Sequence, residues 1–514
     1  MDDCLTEFAP APDAIPRWTA ADTQAIAGIL ASVPADPAAR RFQLAAVEEL
    51  LAEGEGNADL RCRRALLLDA VGRTEEARQA YLAGLSLTPG HAATLNGLGA
   101  LLNRTGFRAA ARTVFAQAAA CHPYQPLGHV NLANVLREDR ELAGARRHYE
   151  AALLFSPGLP EAHQGLGQVL SDLGEHAAAD RHWRIGYRDR VFTTWPYRGE
   201  GTPVRVLLLA SVAGGNVPVR QFLDDRVFET IAVATEYATD EHALPPHDLV
   251  LNSIGDAELC GPALNAAEEL LERTGARLIN CPHAVRQTGR IDNARRFAGL
   301  DGVVAPGMTL MSRDMLAGAV GDLELIDQGF QFPLLLRAPG FHTGQHFLRV
   351  ERPEHLAVAA RGLPGAQVLA IDCLAAAGAD GMFRKGRVLF IDGKMYPLHW
   401  AISADWKVHY FTADMADNAE HRAEEARFLA DMPGFVGARA MQGLAAIAEN
   451  LGLDYGGIDF ALSCHGDVLV FEANATMAIV PPSPEPIWDY RRAAVNMALD
   501  AVRAMLISRA TARR

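Results

Sequence analysis

Small and aromatic residues recur along the first third of the chain with a period of 34. Ala77, Ala111, Ala145 and Ala179 share one column, and Tyr81, Phe115, Tyr149 and Trp183 supply an aromatic four residues later. Gly84, Ala118, Ala152 and Gly186 form a second small column, Ala65, Gly99, Ala133 and Gly167 a third, and Pro89, Pro123 and Pro157 close successive segments. Gly72, Gly106, Arg140 and Gly174 fall where the two helices of each unit must turn. Small residues let helices approach closely while one aromatic fills the space between pairs. A single unit therefore cannot bury its own apolar face, and the units must stack. The pattern predicts paired helices over residues 58–195, with an amphipathic helix at 40–53 capping the stack within an N-terminal segment 1–57.

Around residue 200 the texture changes. Gly199, Gly201 and Pro203 interrupt the helices, and the unbroken apolar run Val204–Ala210 reads as a buried strand. Shorter runs at 248–254 and 277–280 alternate with a helical segment at 262–274, predicting a small parallel-sheet domain over 203–285. Gly214 and Gly215 do not complete a dinucleotide fingerprint and read as a turn. Farther on, an apolar strand ends at Arg337, runs through Ala338–Gly344 and enters a second strand. A glycine-bearing loop of this kind lets backbone N–H groups approach phosphate oxygens. Between Tyr455 and Ala475, two strand-like runs flank Cys464, His465, Gly466 and Asp467. Pairing them about a turn between His465 and Gly466 sets Asp459 directly opposite Glu472, with Asn474 on the same face. Two facing carboxylates require a cation between them, and magnesium is the natural candidate.

The formal charge of -14 and the lack of a Lys/Arg stripe remove nucleic acid from the expected partners. The seven cysteines are scattered without metal-ligand or CxxC spacing, as expected of reduced thiols. The start of the chain has no basic segment followed by an apolar run, and no stretch reaches bilayer length, so a cytoplasmic protein without membrane contact is expected. Of the 48 basic residues only Lys385, Lys394 and Lys407 are lysine, leaving 45 arginines. A compact ammonium is not interchangeable with a planar guanidinium, so this short window marks a place where the difference matters.

Residues 58–193 resemble the tetratricopeptide repeat family, as three full motifs and a fourth with Val191 in place of the terminal proline. The resemblance implies a peptide or protein partner in the groove. Residues 286–485 resemble ATP-grasp enzymes, of which glutathione synthetase and D-alanine:D-alanine ligase are familiar relatives. Residues 203–285 resemble the α/β domain that commonly precedes that fold, and 486–514 read as a C-terminal helix. The implied architecture is multidomain: an all-α repeat solenoid, an α/β pre-ATP-grasp domain and an α+β ATP-grasp domain.

By this resemblance Asp459, Glu472 and Asn474 hold Mg2+ and Asn474 also contacts ATP. Arg337, with Gly340, His342 and Gly344 of the loop, contacts phosphate, and Asp372 holds the ribose. Arg387 and Lys385 act at the transferred phosphate, Lys407 also faces ATP, and Lys394 is an exposed turn. Two departures stand out: Arg337 replaces the usual lysine, and Asn293 stands where another lysine is expected, with Arg290 and Arg295 close by. His399 and His409 read as packed or solvated, while His399, Trp400 and Trp406 are candidates to line an acceptor pocket. The implied reaction is ATP- and magnesium-dependent ligation of a carboxylate to an amine through an acylphosphate, with both substrates unidentified. The alternatives are a non-catalytic repeat adaptor with a nucleotide-sensing domain, and an ATP-grasp kinase.

Overall fold

The computed structural model describes residues 33–34, 36–52, 54, 57–341, 344–374, 376–410 and 412–511. Most of the segment 1–57 and His342 of the glycine loop lie outside the described residues. Two compact units are present. One comprises the described residues up to Arg205 with Asp224–Ala243, and the other Val206–Leu223 with the described residues from Leu244 onward.

In the first unit, helix Pro37–Ala52 precedes four helical pairs: Ala58–Ala70 with Thr74–Leu87, Ala92–Arg104 with Arg108–Cys121, Pro126–Glu138 with Leu142–Phe155, and Pro160–Asp172 with His176–Tyr187. It is a tetratricopeptide-like helical repeat. The aromatic column is buried, and the column that holds Gly99 and Gly167 faces it: a methyl group at Gly167 would lie 2.5 Å from the Trp183 ring, and one at Gly99 would collide with Phe115. The inter-helix turns need a left-handed backbone. Gly72, Gly106 and Gly174 have φ of 80°, 89° and 81°, and Arg140 adopts 65° without a glycine's freedom. Beyond the repeat come strands β1 (Phe192–Trp195), β2 (Val204–Ala210), which falls almost wholly in the second unit, and β3 (Phe228–Ala234). β3 pairs antiparallel with β1, Phe192 opposite Val233.

In the second unit, β2, β4 (Leu249–Asn252) and β5 (Arg277–Ile279) form a parallel ladder, with helix Gly261–Leu271 as the crossover into β5. After β6 (Val303–Val304), an antiparallel sheet takes the order β7 (Met308–Ser312), β10 (Gln367–Asp372), β8 (Leu334–Arg337), β9 (Phe347–Val350). The largest sheet has the order β12 (Lys394–Ser403), β11 (Phe383–Ile391), β13 (Tyr455–Leu462), β14 (Val468–Asn474), β6. Helices Ala419–Ala430 and Met432–Leu451, the latter interrupted at Gly437, cover one face of it. Trp400 centres that core, 2% exposed, with ring centroids 5.1, 5.2 and 5.9 Å from Phe428, Phe435 and Phe460. Trp400 is thus packing, not pocket lining. The C-terminal helix Asp489–Thr511 lies against β11 and β12. Among the described residues no helix is long and apolar enough to cross a membrane.

Candidate functional site

Strand register builds a polar row across the open face of the largest sheet. His399 on β12 is opposite Arg387 on β11, Arg387 is opposite Asp459 on β13, and Asp459 is opposite Glu472 on β14. The hairpin does not follow the simple reflection expected from sequence. Its loop closes on Ser463 and Asp467, Ser463 N–H donating to the Asp467 carbonyl at 2.9 Å, so Phe460 faces Val470 and Leu462 faces Val468. A bulge at Phe471 then restores the alignment of the two carboxylates.

The row is densely paired. Arg387 donates to both Asp459 oxygens at 2.6 and 2.9 Å, and Lys385 Nζ lies 3.3 Å from the same carboxylate. Arg290 donates to Glu472 at 2.6 Å and to Glu258 at 2.5 Å. Burial alone would raise the Asp459 carboxyl, but the Arg387 and Lys385 charges outweigh it and hold the group far below the usual carboxylate range. Burial opposes the charge on Arg387 and on Arg290 as well, and their facing carboxylates override it. Arg337 is lowered, first by burial and then by the like charge of Arg290. His399 is pushed well below the ordinary histidine value by burial, with Arg387 adding to the effect.

The opposite wall is the β8–β9 hairpin. Arg337 ends β8 and donates to the Phe341 carbonyl, and Lys407 Nζ donates to the Gly344 carbonyl at 3.0 Å. Gly340 and Gly344 take φ of 79° and 72°. Asp372, at the end of β10, accepts the Gly307 N–H at 2.9 Å.

A cavity of about 860 Å³ lies between these walls and brings together Arg337, Gly344, Asp372, Lys385, Arg387, Lys407, Asp459 and Glu472. That volume lies within the roughly 300–1,000 Å³ range of small-molecule sites. Gly340 does not reach the lining. Asn474 turns inward, its Oδ1 accepting from Thr476 N–H and Oγ1 at 2.9 Å each, and with Glu472 it borders a small adjoining pocket. Lys394 is exposed at the β11–β12 turn. Asn293 is a structural residue, donating to the Thr288 and Ala473 carbonyls at 3.0 and 2.5 Å. Of the two arginines near it, Arg290 reaches the cavity and Arg295 is exposed. His409 and Trp406 also line the cavity. Tyr410, Trp488 and Arg491 do so as well, and nothing in their local sequence marks them.

Among the described residues no three or more His, Cys, Asp or Glu side chains cluster as a self-sufficient metal cage. The oxygen donors at hand are the two opposed carboxylates, because the Asn474 Oδ1 is taken by Thr476. This fits magnesium, which commonly takes one or two carboxylates and completes its shell with water and substrate phosphate. It does not fit a metal held by protein alone.

No family model matches the chain, and no curated protein matches it. Among solved structures, the chain is similar to MamA 41-end from Desulfovibrio magneticus RS-1 at 19% identity, over 29% of this chain and 87% of that one, with a TM-score of 0.27. A crystal structure of MamA aligns at 16% identity over 34% of this chain and 95% of its own, with a TM-score of 0.26.

Proposed function

We propose that the second unit is an ATP-grasp enzyme that uses ATP and magnesium to join a carboxylate to an amine, and that the repeat unit recruits a peptide or protein partner. The observation that carries this reading is the convergence of five cations, Arg290, Arg337, Lys385, Arg387 and Lys407, on one cavity whose floor holds Asp459 and Glu472. So many half-buried positive groups around one cavity suit a polyanion such as a triphosphate.

In this reading the guanidiniums of Arg387 and Arg290 turn from their carboxylates to phosphate oxygens, and the freed Asp459 and Glu472 accept the metal. Lys407 couples phosphate binding to the Gly344 loop, which it already holds. Arg337 anchors the loop's start through the Phe341 carbonyl. Asp372 stands at the wall where a ribose hydroxyl can be held. Magnesium, when bound, neutralises phosphate charge and aligns the terminal phosphate. Phosphoryl transfer asks mainly for positioning and electrostatic stabilisation, which explains a site of cations and acids without a side-chain nucleophile.

Calorimetric titration of the full chain with ATP, with and without magnesium, tests the reading. Binding should tighten at least roughly tenfold with magnesium, a difference of about 1.4 kcal/mol. ATP that does not bind, or binds equally well without the metal, overturns the reading.

A further inference from the structure

Away from the acidic floor, the same cavity has a wall of different chemistry. The Tyr410 ring is its hub, with the His399 ring centroid at 4.8 Å, that of Trp488 at 6.4 Å, and the Arg491 guanidinium over its face at 4.1 Å. All four line the cavity, among Leu398, Met415, Pro481 and Val495.

Two of these groups have unspent hydrogen-bonding capacity although they are buried. Arg491 is 7% exposed, and Glu425 lies fully buried beside it, Nε to Oε1 at 3.5 Å. That carboxylate is engaged elsewhere: it accepts Trp400 N–H at 3.2 Å, Tyr410 OH at 3.3 Å and Tyr490 OH at 2.5 Å. Arg491 therefore has its charge balanced but few donors used. Its Nε has no hydrogen-bond partner, and Nη2 reaches only the Leu398 carbonyl at 3.5 Å. His399 Nε2, on a ring 7% exposed, has no hydrogen-bond partner either. Buried polar groups are almost always satisfied, and the two residues that carry these incompletely bonded atoms both line the one cavity, which points to a ligand.

We propose that Arg491 and His399 form the seat for the carboxylate of a second substrate, and that the surrounding walls select a molecule with a single carboxylate on an apolar body. This rests on the nucleotide-dependent reading above. A guanidinium fork matches a carboxylate in two parallel hydrogen bonds, which an ammonium cannot supply. His399, which burial keeps uncharged, adds a donor without a second charge. Its register position opposite Arg387 places the seat beside the cations assigned to phosphate. A second carboxylate on the ligand, pointing away from those cations, would be stripped of water among Leu398, Met415 and Val495.

The test uses the full chain with 3-phenylpropanoate as probe, and its amide and glutarate as comparators, read by calorimetry and tryptophan fluorescence. The acid should bind at least roughly tenfold more tightly than either comparator. Arg491→Lys and His399→Leu should each weaken the acid and leave the amide unchanged. Removing Arg491 alone would strand Glu425, so Arg491→Gln is made together with Glu425→Gln, with circular dichroism as the check on folding. Equal affinity for acid and amide, no binding of the acid at millimolar concentration, or acid binding that survives in all three variants overturns the proposal. ATP is titrated in parallel on the unmodified chain. A chain that binds the acid selectively yet ignores ATP supports the seat and defeats the nucleotide reading.

Discussion

In the repeat unit His129 donates from Nε2 to the Pro123 carbonyl at 2.8 Å, which leaves its Nδ1 to accept from His148 Nδ1–H at 3.0 Å. His163, His182 and Pro157 repeat the arrangement 34 residues on, at 2.8 and 2.8 Å. The second unit treats buried polarity differently. Arg290 and Glu472 are 182 residues apart in sequence, Arg387 and Asp459 are 72 apart, and all four border open space. The repeat uses imidazole pairs held within one helical pair, whereas the sheet unit gathers full charges from distant elements around a cavity. Locally satisfied polarity fixes a fold. Charges paired across a void can exchange partners with a ligand.

The largest effects should separate packing from charge. Tyr149→Ala removes a fully buried aromatic, and the repeat should lose about 3–5 kcal/mol with nucleotide binding intact. Asp459→Asn should cost the sheet unit a similar amount, roughly 3–5 kcal/mol, because it leaves Arg387 and Lys385 without their anion. Urea melts alongside ATP titrations check both, and an Asp459→Asn chain of unaltered stability would show that the row is not a buried ion pair.

Next in size is acid sensitivity of the repeat. Burial, helped by the charge His129 can carry, lowers His148 to about 4, below the ordinary 6.5. The unfolded chain then takes up the proton first as pH falls. Stability is full above about pH 6.5 and declines toward pH 4, by about 3 kcal/mol for this histidine. Urea melts of the full chain at pH 7 and pH 4.5, followed by helical signal, should show this slope, and His148→Phe should flatten it. A slope that persists in the variant would move the effect elsewhere.

Glu472→Gln should be gentler than Asp459→Asn. Its carboxylate is partly exposed and Arg290 retains Glu258, so the fold should hold while the magnesium dependence of ATP binding falls about tenfold. Retention of the full magnesium effect would detach Glu472 from the metal. Smallest of all, Arg140→Gly should raise repeat stability by roughly 0.5 kcal/mol, since the left-handed strain relieved there slightly exceeds glycine's entropic cost. A loss of stability in thermal melts would show that the Arg140 side chain contributes more than its turn strains.

The sequence by itself determined the repeat almost completely. Every contact that defines the repeat joins residues within one or two periods, so aligning the chain on itself is enough to place the aromatic column, the small columns and the turn with Arg140 in it. It also set Asp459 against Glu472, because a hairpin is local, although the loop closes one residue short and the bulge at Phe471 makes up the difference. Other outcomes belonged to the tertiary structure alone: that Arg290 and not Arg295 reaches the cavity, that Lys407 grips the Gly344 carbonyl 63 residues away, that Trp400 is core, and that Asn474 bonds Thr476. Least visible of all was Arg491, ordinary in its local context and 92 residues from His399, which only the packing of the C-terminal helix against β12 brings to the same ring. Local periodicity and hairpin pairing are written in neighbouring residues. Which side chain faces a cavity depends on sheet register and helix packing summed over the whole unit, and no short window of sequence carries that sum.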